Sequence, residues 1–398
     1  MAGIFQPNVF QEDVFQVEGD AEPAEIAMSW STDYGFRMGP STYVEIIDGP
    51  GLIIPEPPLR QPEVISIGLF NRSNFPFETS DSPGWEGLII PVNYVTGYVL
   101  NINHSVLQPD GLDQDFQDDS IDLAIAAADE AGLQLKVRVF FGGNCAPWLL
   151  THNGGPIPLI EPQTGGDMSC DLFWEQYNID AKTAFWAQFA ERYNPYMGLD
   201  GPLREVAMSN CMTKFAEEDI RQNAEGITLH ANRALYAAFG YTLAADIAAC
   251  RASIDAFLPL RCVAARACNP HQNGLTAQNA MGVTQTLMRY ARDTLGLYAS
   301  LGNNSDRIRN DPPWPTPNMA LLYGAITNFG PPSYIQTAAT ARVGNLYETC
   351  KKAVSYGCTM IELPAGYTDT TVDTGMTPDE FDEINASLTA NAALIGYA

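Results

Sequence analysis

Three glutamates stand where they could do acid–base work. Glu217 and Glu218 close the stretch VAMSNCMTKFAEED, just past an apolar, strand-like run, and Glu362 sits in the apolar segment MIELPAGY. Two carboxyl groups divide the roles of acid and base when burial or a neighbour's charge raises the pKa of one of them. A buried glutamate without a counter-ion is expensive, so Glu362 calls for a cation, either Arg138 in LQLKVRVFF or another barrel-facing one. Each carboxylate also has a plainer reading: Glu217 as a solvated loop or helix-start residue, Glu362 as one half of a structural ion pair. Other chemistries lack their residues. There is no converging set of His, Asp or Cys with metal-ligand spacing, no phosphate-cradling glycine loop and no G-x-S-x-G turn, so neither a metal nor a cofactor is expected.

The elements that would position these residues alternate between strand and helix from Pro62 onward, the mark of an α/β fold with a parallel sheet. VISIGLF and TGYVLNIN read as the first two strands. SIDLAIAAADEAG reads as a helix, with Ser120 placed to cap it and Gly132 to end it. In LQLKVRVFF the period of two puts Leu133, Leu135, Val137, Val139 and Phe141 on one face. REVAMSN, RCVAARAC, LGLYASLG, PSYIQTAAT and CTMIELP complete a set of eight strands, and the last helix opens on a capping box at Thr377 and Glu380. A closed (β/α)8 barrel is the economical arrangement, with residues 63–398 forming it.

GYVLNINHSVLQPDG, AGLQLKVRVFFGGNCAPWLL and FWAQFAERYNP with the following REVAMSN resemble, in order, the second, third and fourth strands of glycoside hydrolase barrels of the large retaining group. The similarity is good from Tyr94 to Asn210 and looser beyond. It implies a site at the C-terminal ends of the strands and two carboxyl groups about 5–5.5 Å apart, one protonating the leaving oxygen and one attacking the sugar. In that group the pair comes from strands four and seven. This sequence departs at both addresses: Cys211 follows Asn210 where a glutamate is expected, and YIQTAAT offers Gln336. The resemblance therefore leaves Glu217 (or Glu218) as acid/base and Glu362 as nucleophile or its electrostatic substitute. It implies Trp148, Trp314 and Tyr367 as sugar-stacking aromatics, and His104, His271, Arg138, Asn210 and Asn303 as polar sugar contacts. Loop packing for the tryptophans and local hydrogen bonding for the histidines are the competing readings.

Ahead of the barrel, Phe5, Phe10 and Phe15 are each followed by Gln. A five-residue step matches neither helix nor strand, so the rings cannot share one face of a regular element. Residues 1–20 read as an extended arm that docks on another protein, and they resemble the N-termini of tailed-phage and prophage structural proteins. Residues 21–62, rich in Pro, Gly and acidic side chains, read as a β-type cover or linker. The net charge of −26 argues against nucleic acid or an anionic lipid surface as partner. The eight cysteines contain no C-x-x-C and read as reduced core residues. MAGIFQPNVFQED lacks the pattern of a signal peptide, and no apolar run reaches membrane-spanning length. The expectation is a virion-associated protein, assembled in a host cytoplasm, oligomeric in the particle, that binds host surface or cell-wall glycan, with hydrolysis left open by the departures at strands four and seven. Its rivals are a structural or receptor-binding barrel without activity and a cellular glycosidase.

Overall fold

The computed structural model describes residues 60–72, 94–112, 115–160, 167–209, 237–269, 277–306, 317–337, 343–363 and 376–397. All of these belong to the compact unit Val44–Ala398. The arm with Phe5, Phe10 and Phe15, and residues 21–59 of the expected cover, lie outside the described residues.

Ten strands and nine helices are named here in chain order. They are β1 (Gly68–Asn71), β2 (Gly97–Asn103), α1 (His104–Leu107), α2 (Ser120–Glu130), β3 (Gln134–Phe140), α3 (Pro147–Leu150), β4 (Ile157–Ile160), β5 (Asp167–Cys170), α4 (Gln176–Tyr193), β6 (Leu203–Ala207), α5 (Leu243–Asp255) and β7 (Val263–Ala267). They continue with α6 (Ala277–Leu295), β8 (Ala299–Asp306), α7 (Pro317–Phe329), β9 (Ser333–Thr337), α8 (Leu346–Ser355), β10 (Met360–Glu362) and α9 (Pro378–Ala393). Eight strands close into a barrel in the order β1-β10-β9-β8-β7-β6-β3-β2, every described pairing parallel, while β4 and β5 form a separate antiparallel pair. The expected (β/α)8 barrel is the fold.

Local corrections have local causes. VISIGLF enters the sheet only at Gly68, because Ile65 and Ile67 are spent on the base of the barrel. Ser120 is the first residue of α2, not its cap; Asp119 holds the cap position, and Asp118 accepts from the Ser120 N–H at 2.8 Å. Gly132 does end that turn, with φ of 66°. The β4–β5 pair and α7 were not read from the sequence. The capping box of α9 is complete, Thr377 accepting from the Glu380 N–H while the Glu380 carboxylate accepts from the Thr377 N–H.

The outer face of β3 carries Leu135, Val137 and Val139 into the main core. Against it, α4 presents Ala181, Phe185, Phe189 and Tyr193, spaced by four residues down one side of the helix, with Trp186 beside them. Trp186 meets Phe257 with ring centroids 4.5 Å apart, and Phe185 meets Phe141 at 5.2 Å. The inner face is a second cluster of Phe70, Val99, Ala265, Ala267, Tyr334 and Met360. Small residues opposite large ones fill this lumen. Gly302 is one of them, since a Cβ there would collide with the backbone oxygen and ring of Tyr334.

Residues 60–67 cross the N-terminal end of the barrel. The carbonyl of Arg60 accepts from the Leu297 N–H at 2.8 Å, and the Tyr397 hydroxyl donates to the Pro62 carbonyl at 2.6 Å. Ile65 packs with Val263 and Ala392. That end is closed by apolar side chains.

Candidate functional site

Alternation along β3 turns Lys136 and Arg138 inward while their apolar neighbours face the helices. Register then places the other members. Lys136 lies beside Glu205 of β6, and Glu362 of β10 lies beside Gln336 of β9. β10 and β3 are separated by β1 and β2 in the sheet, so contact between Glu362 and the β3 cations must cross the lumen. It does: one carboxylate oxygen is paired with Arg138 and the other lies 2.8 Å from the Lys136 ammonium, which also pairs with Glu205. Lys136, Glu205 and Glu362 are fully buried and Arg138 is 5% exposed. The Lys136 ammonium also sits 3.5 Å from the centre of the Tyr334 ring. Burial pulls its pKa down to about 7, against the upward pull of Glu205.

Both oxygens of Glu362 therefore face cations, and neither is offered to a bound molecule. Lys136 and Glu205 were absent from the sequence reading, although LQLKVRVFF contained the signal. In a strand whose odd positions are all apolar and buried, Lys and Arg two residues apart on the opposite face line a barrel and demand anions.

Above this layer the lumen is lined by amides. Asn101, in register with Arg138, is exposed. Gln336, in register with Glu362, donates from Nε2 to the Asn304 carbonyl at 3.1 Å. Its Oε1 is buried without a hydrogen-bond partner. The Tyr334 hydroxyl donates to Asn304 Oδ1 at 3.1 Å. Arg72, the residue after β1, reaches the backbone that ends the neighbouring strands. Its Nε donates to the Leu363 carbonyl and its Nη2 to the Thr337 carbonyl, both at 3.2 Å.

Two expected sugar contacts face elsewhere. Asn303 is fully buried on the helix side of β8, donating to the Cys268 carbonyl at 2.9 Å and accepting from the Tyr323 hydroxyl at 3.1 Å. In β8 it is Asn304, one residue on, that faces the lumen. His104 is 1% exposed, stacked on Phe141 and edge-on to Phe185. Its Nδ1 accepts from the Ala146 N–H at 3.0 Å and the ring is hydrogen-bonded to Gln108. It ties the turn after β2 to the turn after β3. Trp148 is half-buried, with its indole N–H donating to the Gln108 carbonyl at 2.8 Å and its edge against His104. It supports the same joint and is not a free platform. Glu217, Glu218, Asn210, His271, Trp314 and Tyr367 lie outside the described residues.

Burial, seconded by the charge of Lys182, lowers the His104 pKa to about 3. The unfolded chain takes up this proton below pH 6.5 and the folded chain refuses it down to about 3. The contribution to stability is thus whole above pH 6.5 and is lost as the pH falls through the folded value, at ~1.4 kcal/mol per pH unit. His104→Gln, which keeps an acceptor for the Ala146 N–H, should show a shallower fall in urea midpoint between pH 6 and 4 than the parent. Equal slopes would assign the acid sensitivity to other groups.

A second buried pair lies behind the turn after β3. Asp171 and Lys182 are joined at 2.8 Å, and Asn178 Nδ2 donates to the same carboxylate oxygen at 2.9 Å. The Cys145 thiol is hydrogen-bonded to Asp171 and is pushed well up in pKa by burial and by that carboxylate. A thiol so held is protonated and no nucleophile. The seven described cysteines are all buried and free. Among the described residues no group of His, Cys, Asp and Glu is placed to hold a metal ion, and no helix is long and apolar enough to cross a membrane.

No family model matches the sequence, and no curated protein matches it. Solved structures do resemble the fold. The catalytic domain of a β-amylase from Paenibacillus polymyxa aligns with a TM-score of 0.54 at 11% identity, over 83% of this chain and 100% of its own. Two endo-β-1,4-glucanases from Xanthomonas axonopodis pv. citri align more loosely, at TM-scores of 0.45 and identities of 10% and 11%. They cover 82% and 81% of this chain and 99% and 98% of theirs. At such identities the likeness concerns the backbone alone: this chain has a (β/α)8 barrel like that of the β-amylase catalytic domain.

Proposed function

We propose that the protein is a glycan-binding barrel of a virion, derived from a glycoside hydrolase architecture and holding carbohydrate at the C-terminal end of its strands without using Glu362 to cut it. The observation that carries this reading is the engagement of both Glu362 oxygens by Lys136 and Arg138. A nucleophile must be free to approach the sugar carbon, and a carboxylate clamped between two cations is not. Gln336 stands where the resembling enzymes carry their second carboxylate, and amides cannot transfer protons as acids or bases at neutral pH. Amides do match sugar hydroxyls as donors and acceptors, and Gln336 Oε1 offers a buried acceptor that a hydroxyl would satisfy.

The test is a glycan panel that includes host surface and cell-wall oligosaccharides, scored for binding by calorimetry and for release of reducing ends. Binding without release is expected. Release that disappears in Glu217→Gln or Glu218→Gln would replace this reading with hydrolysis from the loop after β6. The virion role is supported by the Phe-Gln repeat at Phe5, Phe10 and Phe15. Removal of residues 1–20 should leave the barrel folded and abolish incorporation into particles, and normal incorporation would refute it.

A further inference from the structure

Arg72 is the unmatched charge of the mouth. It directly follows β1, two residues past Phe70 of the lumen cluster, and it is only partly exposed. Its two hydrogen bonds go to backbone carbonyls of the segments ending β9 and β10, which accept but carry no net charge. Among the described residues no carboxylate pairs with it. Burial without a counter-ion brings its pKa down to about 10. The deeper cations are matched differently: Lys136 and Arg138 share Glu205 and Glu362. Among the described side chains Arg72 thus has hydrogen-bond acceptors but no carboxylate, and it lies at the C-terminal end of the strands.

A guanidinium presents five N–H donors in a planar fork. Two are used here, so the rest of the fork has no protein acceptor among the described residues. Fixing Arg72 by two carbonyls also removes most of the rotamer entropy that an arginine loses on gripping an anion. Gln336 precedes Thr337, whose carbonyl accepts from Arg72, and its Oε1 has no hydrogen-bond partner in a side chain that is 8% exposed. One site thus combines a preorganised cation lacking an anion with an acceptor lacking a donor. A sugar acid supplies both complements on one ring, a carboxylate and a hydroxyl.

We propose that the mouth selects a glycan bearing an isolated carboxylate on one of its sugar units, seated on Arg72 with a neighbouring hydroxyl on Gln336. This rests on the glycan-binding reading and narrows it. The chain's charge of −26 is part of the argument. Long-range repulsion works against a dense polyanion, whereas a single carboxylate in an otherwise neutral glycan meets the local cation within one screening length.

The test compares glucuronate-containing oligosaccharides with their carboxyl-reduced counterparts by calorimetry on the full chain, beside a panel of neutral oligosaccharides. The acidic member of a pair should bind about tenfold or more tightly, as a charge-assisted hydrogen bond implies. The preference should weaken with added salt. Arg72→Gln should abolish the difference between the acidic and reduced members of a pair, and Arg72→Lys should keep part of it. Equal affinity within each pair for the parent protein would overturn the inference and leave glycan binding intact. Binding of no member of either set would instead overturn the reading on which it rests. Because the parent comparison decides by itself, misfolding of the Arg72 variants would not rescue the idea.

Discussion

Glu362→Ala should lower the stability of the barrel by about 3–5 kcal/mol, seen as a fall in urea midpoint at unchanged m-value. Removing the carboxylate takes the Glu362 ion pair from Arg138 and one of two carboxylates from Lys136, in a layer that is almost wholly buried. Glu362→Gln should lose stability too, because an amide oxygen cannot match two cations. A catalytic nucleophile behaves differently, since its amide variant loses turnover while the fold is little affected. The double change Arg138→Met with Glu362→Leu removes one charge of each sign and keeps the Lys136–Glu205 pair. It should recover most of the loss, because apolar residues of similar volume often replace a buried ion pair at little cost. If Glu362→Ala left the midpoint unmoved, the lumen network would not be holding the strands and the clamped-carboxylate argument would fail with it.

Asp171→Asn is expected to have an effect of the same order, about 3–5 kcal/mol, for a parallel reason. Asp171 is fully buried and gathers Lys182, Asn178 and the Cys145 thiol from α4 and the turn after β3. It offsets the burial that would lower the Lys182 pKa, and the net shift is upward. A group raised in the fold contributes stability that is whole below its unfolded pKa near 10.5 and lost only as the pH rises through the folded value. The parent should therefore keep this contribution throughout the neutral range. In Asp171→Asn the lysine loses this carboxylate and its pKa falls, so the variant's deficit should shrink between pH 7 and pH 10. A deficit that stayed constant over that interval would mean that Lys182 finds its compensation elsewhere.

The barrel was legible because its signals are local and repeated. Alternation in LQLKVRVFF, helical spacing from Ala181 to Tyr193, and the Thr377–Glu380 box each act within one element, and eight strand-like runs in alternation with helices admit few closed arrangements. The site was less legible. Glu362 could be read as needing a cation, but whether its oxygens remained free depended on Lys136 and Glu205, which are brought to it only by closure of the barrel. His104 and Asn303 sit at strand ends, where position suggested the mouth; a single step in side-chain direction sent both into the helix layer. Arg72 went unread because it lies beyond VISIGLF and β1, where its partners are backbone carbonyls that only the closed sheet brings to it. α7 was missed where PPWPTPNMALLYGAITNF begins with turn-forming prolines that mask the helix behind them.

The ion layer also sets an order of events. Arg138 and Glu362 are 224 residues apart in sequence, and a contact of that span forms only when the ends of the chain meet. While the chain is being made, Lys136 and Glu205 are available to each other long before Glu362 is synthesised. Half a barrel can pair Lys136 with Glu205 but lacks the Glu362 carboxylate for Arg138, and the unpaired edges of its unfinished sheet invite mispairing with other chains. The last strand to arrive thus carries the anion that completes the set, and closure of the sheet and neutralisation of its interior become the same step.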